Sequence, residues 1–175
     1  VRGNHDYFID EYLQARSLVS FGKQFYLLPD GVVESIPLAY DNSLVVGALG
    51  GIEMEANSHY SGQENYANPS LSLEALHRLR HQSSTREIDV LLTHQGPTVE
   101  FKGSEQIDNL ITSLQPSFHF HGHSHYIMNR VNQIGPTQTF GVANLPYEGP
   151  ICLDSSLCYS LLRFNLKSRK LERWR

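Results

Sequence analysis

Residues 118–125 read Phe118-His119-Phe120-His121-Gly122-His123-Ser124-His125. The first four residues fit a β-strand, whose period of two puts His119 and His121 on one face. Gly122 ends that pattern. His123 and His125 then flank Ser124, and two histidines with one spacer can face a shared ion from a loop. Upstream, Val90-Leu91-Leu92-Thr93-His94 closes another apolar run on a histidine, with Gln95-Gly96-Pro97 behind it. At the start of the chain, Val1-Arg2-Gly3 reads as a strand entering Asn4-His5-Asp6. In α/β sheets, ligands bind at the C-terminal ends of strands. Three strand ends therefore carry Asn/His, His and His-x-His. Neutral imidazole nitrogens and an amide oxygen are good ligands for zinc, manganese or iron. Any one of these segments alone also reads as a turn or a strand-end loop; their order and spacing together are what point to a metal centre.

The surrounding sequence supplies strands and helices in alternation. Apolar spacing predicts a helix over 7–19, strands over 25–28 and 32–36 split by Pro29-Asp30-Gly31, and a buried strand over 44–49. A long polar loop fills 50–69 and holds Glu53, Glu55, His59, Tyr60 and Tyr66. Loops of that length are usually functional or mobile. A helix follows over 70–81 with Ser70 or Ser72 as its cap. Next come a strand over 88–93, a helix over 104–114 ended by Pro116, and a strand over 117–121. The tail is β-rich, near 126–132, 137–142, 158–165 and 171–174. Helices between apolar strands imply an α/β fold with a helix-covered sheet, and the tail suggests a second sheet packed on the first.

The chain has 175 residues, 40% hydrophobic and 18% charged, with a net charge of −4. This is one domain's worth of globular sequence and not a disordered, collagen-like or coiled-coil chain. The charge argues against bulk-charge binding of nucleic acid. Residues 44–52, the most apolar run, are about half the ~20 needed to span a bilayer. Cys152 and Cys158, the two cysteines, form neither a CxxC pair nor a disulfide framework. Two thiols in a reducing compartment and no visible signal peptide lead to the expectation of a cytoplasmic protein without membrane association.

The three segments resemble the later motifs of the calcineurin-like metallophosphoesterase family. Gly3-Asn4-His5-Asp6 is similar to that family's Gly-Asn-His-Asp/Glu, Thr93-His94 to its strand-end histidine, and Gly122-His123-Ser124-His125 to its Gly-His-x-His. The resemblance implies a four-layer α/β/β/α sandwich and hydrolysis of a phosphoester substrate with two divalent metal ions (manganese, iron or zinc). It implies that Asn4, His94 and His123 bind one metal and His125 the other. It also implies that His5 is the acid assisting the leaving group, oriented by Asp6. Two metals ~3.5–4 Å apart can polarise a phosphoryl group and lower the pKa of a bridging water.

The family also carries an earlier Asp-x-His and a Gly-Asp, and neither occurs in this sequence. The first metal then keeps only His125. The expectation is that residues 1–175 are a partial metallophosphoesterase domain lacking its first strands, roughly 60 residues, and that this chain alone is inactive. Those strands are expected to be central, leaving an unpaired edge. The alternative is a phosphoesterase fold serving as a non-catalytic protein-binding scaffold. Val142-Ala143-Asn144-Leu145-Pro146 only loosely echoes the family's closing Asn-Pro-Gly-Ser. Elsewhere, His77 and His81 read as a solvated helix face, and His119 and His121 as packing or support for the ligands.

Overall fold

Four strands run parallel, side by side. The computed structural model describes residues 1, 3, 28–38, 42–53, 71–124, 131–142, 162–165 and 170–173. Its strands are β1 (Val32–Pro37), β2 (Ser43–Leu49), β3 (Val90–Thr93), β4 (Phe118–His121), β5 (Val131–Ile134), β6 (Thr137–Gly141), β7 (Leu162–Asn165) and β8 (Lys170–Arg173). Helix α1 spans Leu73–Ser83 and α2 spans Glu105–Leu114. The first six strands form one sheet in the order β1-β2-β3-β4-β6-β5. β2, β3, β4 and β6 run parallel, while β1 and β5 flank them antiparallel. β7 and β8 form a separate antiparallel pair.

The helices connect neighbouring parallel strands, α1 between β2 and β3 and α2 between β3 and β4. Such crossovers are right-handed, and the strand order advances in one direction, so both helices fall on the same face. Their apolar sides meet that face. Ala75, Leu76 and Leu79 of α1 and Ile107, Leu110 and Ile111 of α2 are buried with Leu49 and Leu91. Each fully buried leucine or isoleucine here stabilises the fold by about 1.5–3 kcal/mol relative to exposure. Ser72 caps α1 by accepting from the Ala75 amide at 3.2 Å. Ser104 caps α2 by accepting from Gln106 and Ile107 at 3.1 and 3.3 Å. α2 stops at Gln115, which is left-handed at φ 46 and ψ 48, directly before Pro116. Gly31 lies so close to α1 that a Cβ there would meet the Ala75 carbonyl oxygen at 2.4 Å, and its φ is +76.

The opposite face is also apolar. Val46, Ala48, Val90 and Phe118 are buried on it, with Leu92, Phe120 and Phe140 packed alongside. Strands apolar on both faces are what covered parallel sheets require. The described residues thus supply a sheet with helices on one side and a second apolar face on the other.

One expectation changes, and another lies mostly outside the described residues. The 32–36 strand pairs with β2 across residues 38–42, with Leu38 N–H donating to Asn42 O at 2.8 Å. The 25–28 arm expected beside it lies outside the described residues except Leu28, which is not in a strand. The tail also divides. β5 and β6 join the main sheet as a hairpin around Gly135, whose φ is +56, as a type II′ turn needs at its first central position. The helix predicted over 7–19, most of the 50–69 loop, and both cysteines lie outside the described residues. Among the described residues, each of the six strands of this sheet is hydrogen-bonded to its neighbours in that order.

Candidate metal centre

Parallel strands bring their C-terminal ends to one edge of the sheet. Backbone hydrogen bonds join those ends into one platform. His94 N–H donates to Leu49 O at 3.1 Å, Gly122 N–H to His94 O at 3.0 Å, and Val142 N–H to His121 O at 2.8 Å. His94 and His123, 29 positions apart in the numbering, are thereby brought face to edge. Their ring centres are 5.1 Å apart with the planes at 65°. Both side chains are half-buried.

That separation suits a shared ion. With metal–nitrogen bonds of about 2.0–2.1 Å and a ring centre roughly 1.1 Å beyond each nitrogen, two imidazoles on one tetrahedral ion have centres roughly 5 Å apart. His123 takes φ 64, the left-handed region. A non-glycine residue there costs roughly 1–3 kcal/mol, and such outliers cluster at functional sites. Gly122 ahead of it lies beside His94 with room for a side-chain carbon. A Cβ on Gly122 would sit 3.8 Å from the His94 carbonyl oxygen and 4.0 Å from His94 Nδ1.

The loop after His94 is closely tied down. Thr93 Oγ1–H donates to Gln95 O at 2.6 Å. Gln95 Oε1 accepts from Glu53 N–H at 2.6 Å, and its Nε2 donates to Lys102 O at 2.8 Å. The Glu53 carboxylate accepts from Ser104 Oγ and from Gln106 Nε2, the latter at 3.1 Å. Ser104 N–H donates back to Gly96 O at 2.9 Å.

His119 and His121 face the helix side of the sheet, buried, with rings stacked at 5.2 Å. Burial first, and the neighbouring His121 second, hold His119 well below the ordinary imidazole range. Burial lowers His121 to about 4, with the Gly122 backbone pulling the other way. Both are neutral at pH 7. His119 Nε2 lies 2.8 Å from Thr93 Oγ1, so it supports the strand beneath His94.

Of the six site residues read from the sequence, the structure brings His94 and His123 together. Asn4, His5, Asp6 and His125 lie outside the described residues. Among the described residues, no group of three or more His, Cys, Asp or Glu is placed to hold a metal ion. His77 and His81 are exposed on α1, as expected of a solvated face. The sequence reading passed over Gln95 and the Glu53–Ser104 contact. The signal for Gln95 was its place directly behind a strand-end histidine.

The profile of the calcineurin-like phosphoesterase family matches residues 1–126, which spans His94, His123 and His125. The chain belongs to this family. Phosphoester hydrolysis is the general activity the family suggests, and its members generally use divalent metal ions. Among solved structures, this chain is similar to the crystal structure of TT1561 of Thermus thermophilus. The identity is 20% and the TM-score 0.63, covering 98% of this chain and 68% of that one. A second crystal structure matches at 14% identity and TM-score 0.62, covering 100% of this chain and 64% of the other. These likenesses are of fold, and the chain spans about two thirds of the length of each. No curated protein matches the sequence. Among the described residues, no helix is long and apolar enough to cross a membrane.

Proposed function

We propose that this phosphoesterase hydrolyses a phosphoester by a two-metal mechanism. Asn4, His94 and His123 hold one ion and His125 contributes to the other. The observation that carries the reading is the 5.1 Å approach of the His94 and His123 rings at the C-terminal edge of the parallel strands. The donor set is neutral and hard-to-borderline, which suits manganese, iron or zinc. When bound, the ions polarise the phosphoryl group and favour ionisation of water.

The chain's own residues do the rest. His94 and His123 bring their imidazole rings together on a platform fixed by backbone hydrogen bonds. His5 donates a proton to the departing oxygen, with Asp6 holding its ring and favouring the charged form that an acid needs. In this reading, carboxylates of the kind supplied by the family's Asp-x-His and Gly-Asp motifs complete the ligand set of the two ions. The partner is a phosphoester substrate, reached in the cytoplasm and without a membrane or bulk nucleic acid.

The test is turnover of aryl phosphate mono- and diesters by the full-length chain with manganese, alongside His94→Ala. Metal-dependent turnover that His94→Ala lowers at least about 100-fold supports the reading. Absence of turnover with both ester classes would favour the non-catalytic scaffold instead.

A further inference from the structure

We infer that Thr93 and His119 are positioning residues for the His94 imidazole, a role that rests on the metal-site reading above. Thr93 has one hydroxyl hydrogen. Its Oγ1 lies 2.6 Å from the Gln95 carbonyl oxygen, which can only accept, so the hydrogen is committed there. At the 2.8 Å contact with His119 Nε2, Thr93 must therefore accept. His119 is fixed as the tautomer carrying its proton on Nε2. Its Nδ1 is bare, and among the described residues that atom has no hydrogen-bond partner. Burial, which keeps the ring neutral, agrees with a single proton.

This chain of donors brackets His94. The bridge from Thr93 Oγ1 to Gln95 O spans it, and its own backbone N–H and C=O are committed to Leu49 and Gly122. Gln95, 5% exposed, is anchored in turn to Glu53 and Lys102. So constrained a backbone fixes the position and direction of the Cα–Cβ bond from which the ring reaches His123. Groups behind a metal-binding histidine usually act on its far nitrogen. Here the support acts on the backbone, through a second histidine buried on the other side of the sheet.

The experiment measures Mn²⁺ affinity of the full-length chain by calorimetry, with the unfolding midpoint of each metal-free variant. Thr93→Val keeps the shape and loses the hydroxyl. Its affinity should fall about 10-fold or more, while Thr93→Ser should stay within about threefold of the parent. His119→Gln keeps a donor near Nε2 and should also bind as the parent does. Long-range proton–nitrogen NMR of the metal-free parent should show His119 protonated on Nε2, which a merely space-filling histidine need not be. Parental affinity in Thr93→Val, when His94→Ala has lost binding, would overturn the positioning role. So would an Nδ1-protonated His119, a result that stands even if Thr93→Val fails to fold. Parental affinity in His94→Ala would overturn the metal-site reading itself, and the positioning role with it.

Discussion

Gly96→Ala adds one methyl group where the loop after His94 crosses His121. A Cβ at Gly96 would lie 2.5 Å from His121 Nδ1, 2.7 Å from Cε1 and 3.1 Å from Cγ. The closest approach is about 1 Å inside the ~3.5–4.0 Å optimum for non-bonded atoms. Relief has two routes. The ring can retreat, but it is 2% exposed and stacked on His119 at 5.2 Å. Alternatively the loop can lift, which breaks the 2.9 Å bond from Ser104 N–H to Gly96 O. Overpacking of this kind costs about 1–3 kcal/mol, and the obstacle is a rigid ring instead of a flexible chain end, so about 2–3 kcal/mol is expected. For a chain of this size that lowers the thermal midpoint by roughly 5–10 °C, read by circular dichroism. His121→Ala removes the obstacle. Gly96→Ala should then cost at least about 1 kcal/mol less in the His121→Ala background than in the parent. A Gly96→Ala protein within about 0.5 kcal/mol of the parent, or strictly additive variants, would refute the packing described here.

Three further outcomes follow from the same geometry. His121 ionises near 4 in the folded chain and near 6.5 unfolded, so its stabilising contribution is complete above pH 6.5 and is lost as pH falls toward 4. Denaturant titrations should lose about 3 kcal/mol across that window, with His119 adding in the same direction, and a flat profile would contradict the burial of both rings. Ser104→Ala removes the cap of α2 and its contact with Glu53, and should cost about 1–2 kcal/mol in urea unfolding. His123→Gly removes the left-handed cost at φ 64 together with the imidazole. Its stability should stay within about 1 kcal/mol of the parent while Mn²⁺ affinity drops, as calorimetry would read.

The sheet was legible where a strand is apolar throughout. Val90–Thr93 and Ser43–Leu49 could hardly be anything but covered strands; of the two cap candidates Ser70 and Ser72, the structure uses Ser72, while the Ser104 cap was not read from the sequence. The pairing of β1 was less legible. Pro29-Asp30-Gly31 does turn the chain, but Val32–Pro37 pairs with the strand that follows it, Ser43–Leu49, and Val33 and Leu49 share their burial beneath α1. Period-two reasoning put His119 and His121 on one face, yet could not say that this face lies under the helices. The meeting of His94 and His123 was implied by strand-end placement. The left-handed backbone at His123 and the Thr93–Gln95 bridge depend on three-dimensional closure between adjacent loops.

The most direct measurement is anomalous X-ray diffraction from crystals of the full-length chain grown with manganese. A metal peak should lie within about 2.0–2.2 Å of one nitrogen on each of the His94 and His123 rings. A peak that leaves either ring outside its coordination sphere would contradict the shared centre.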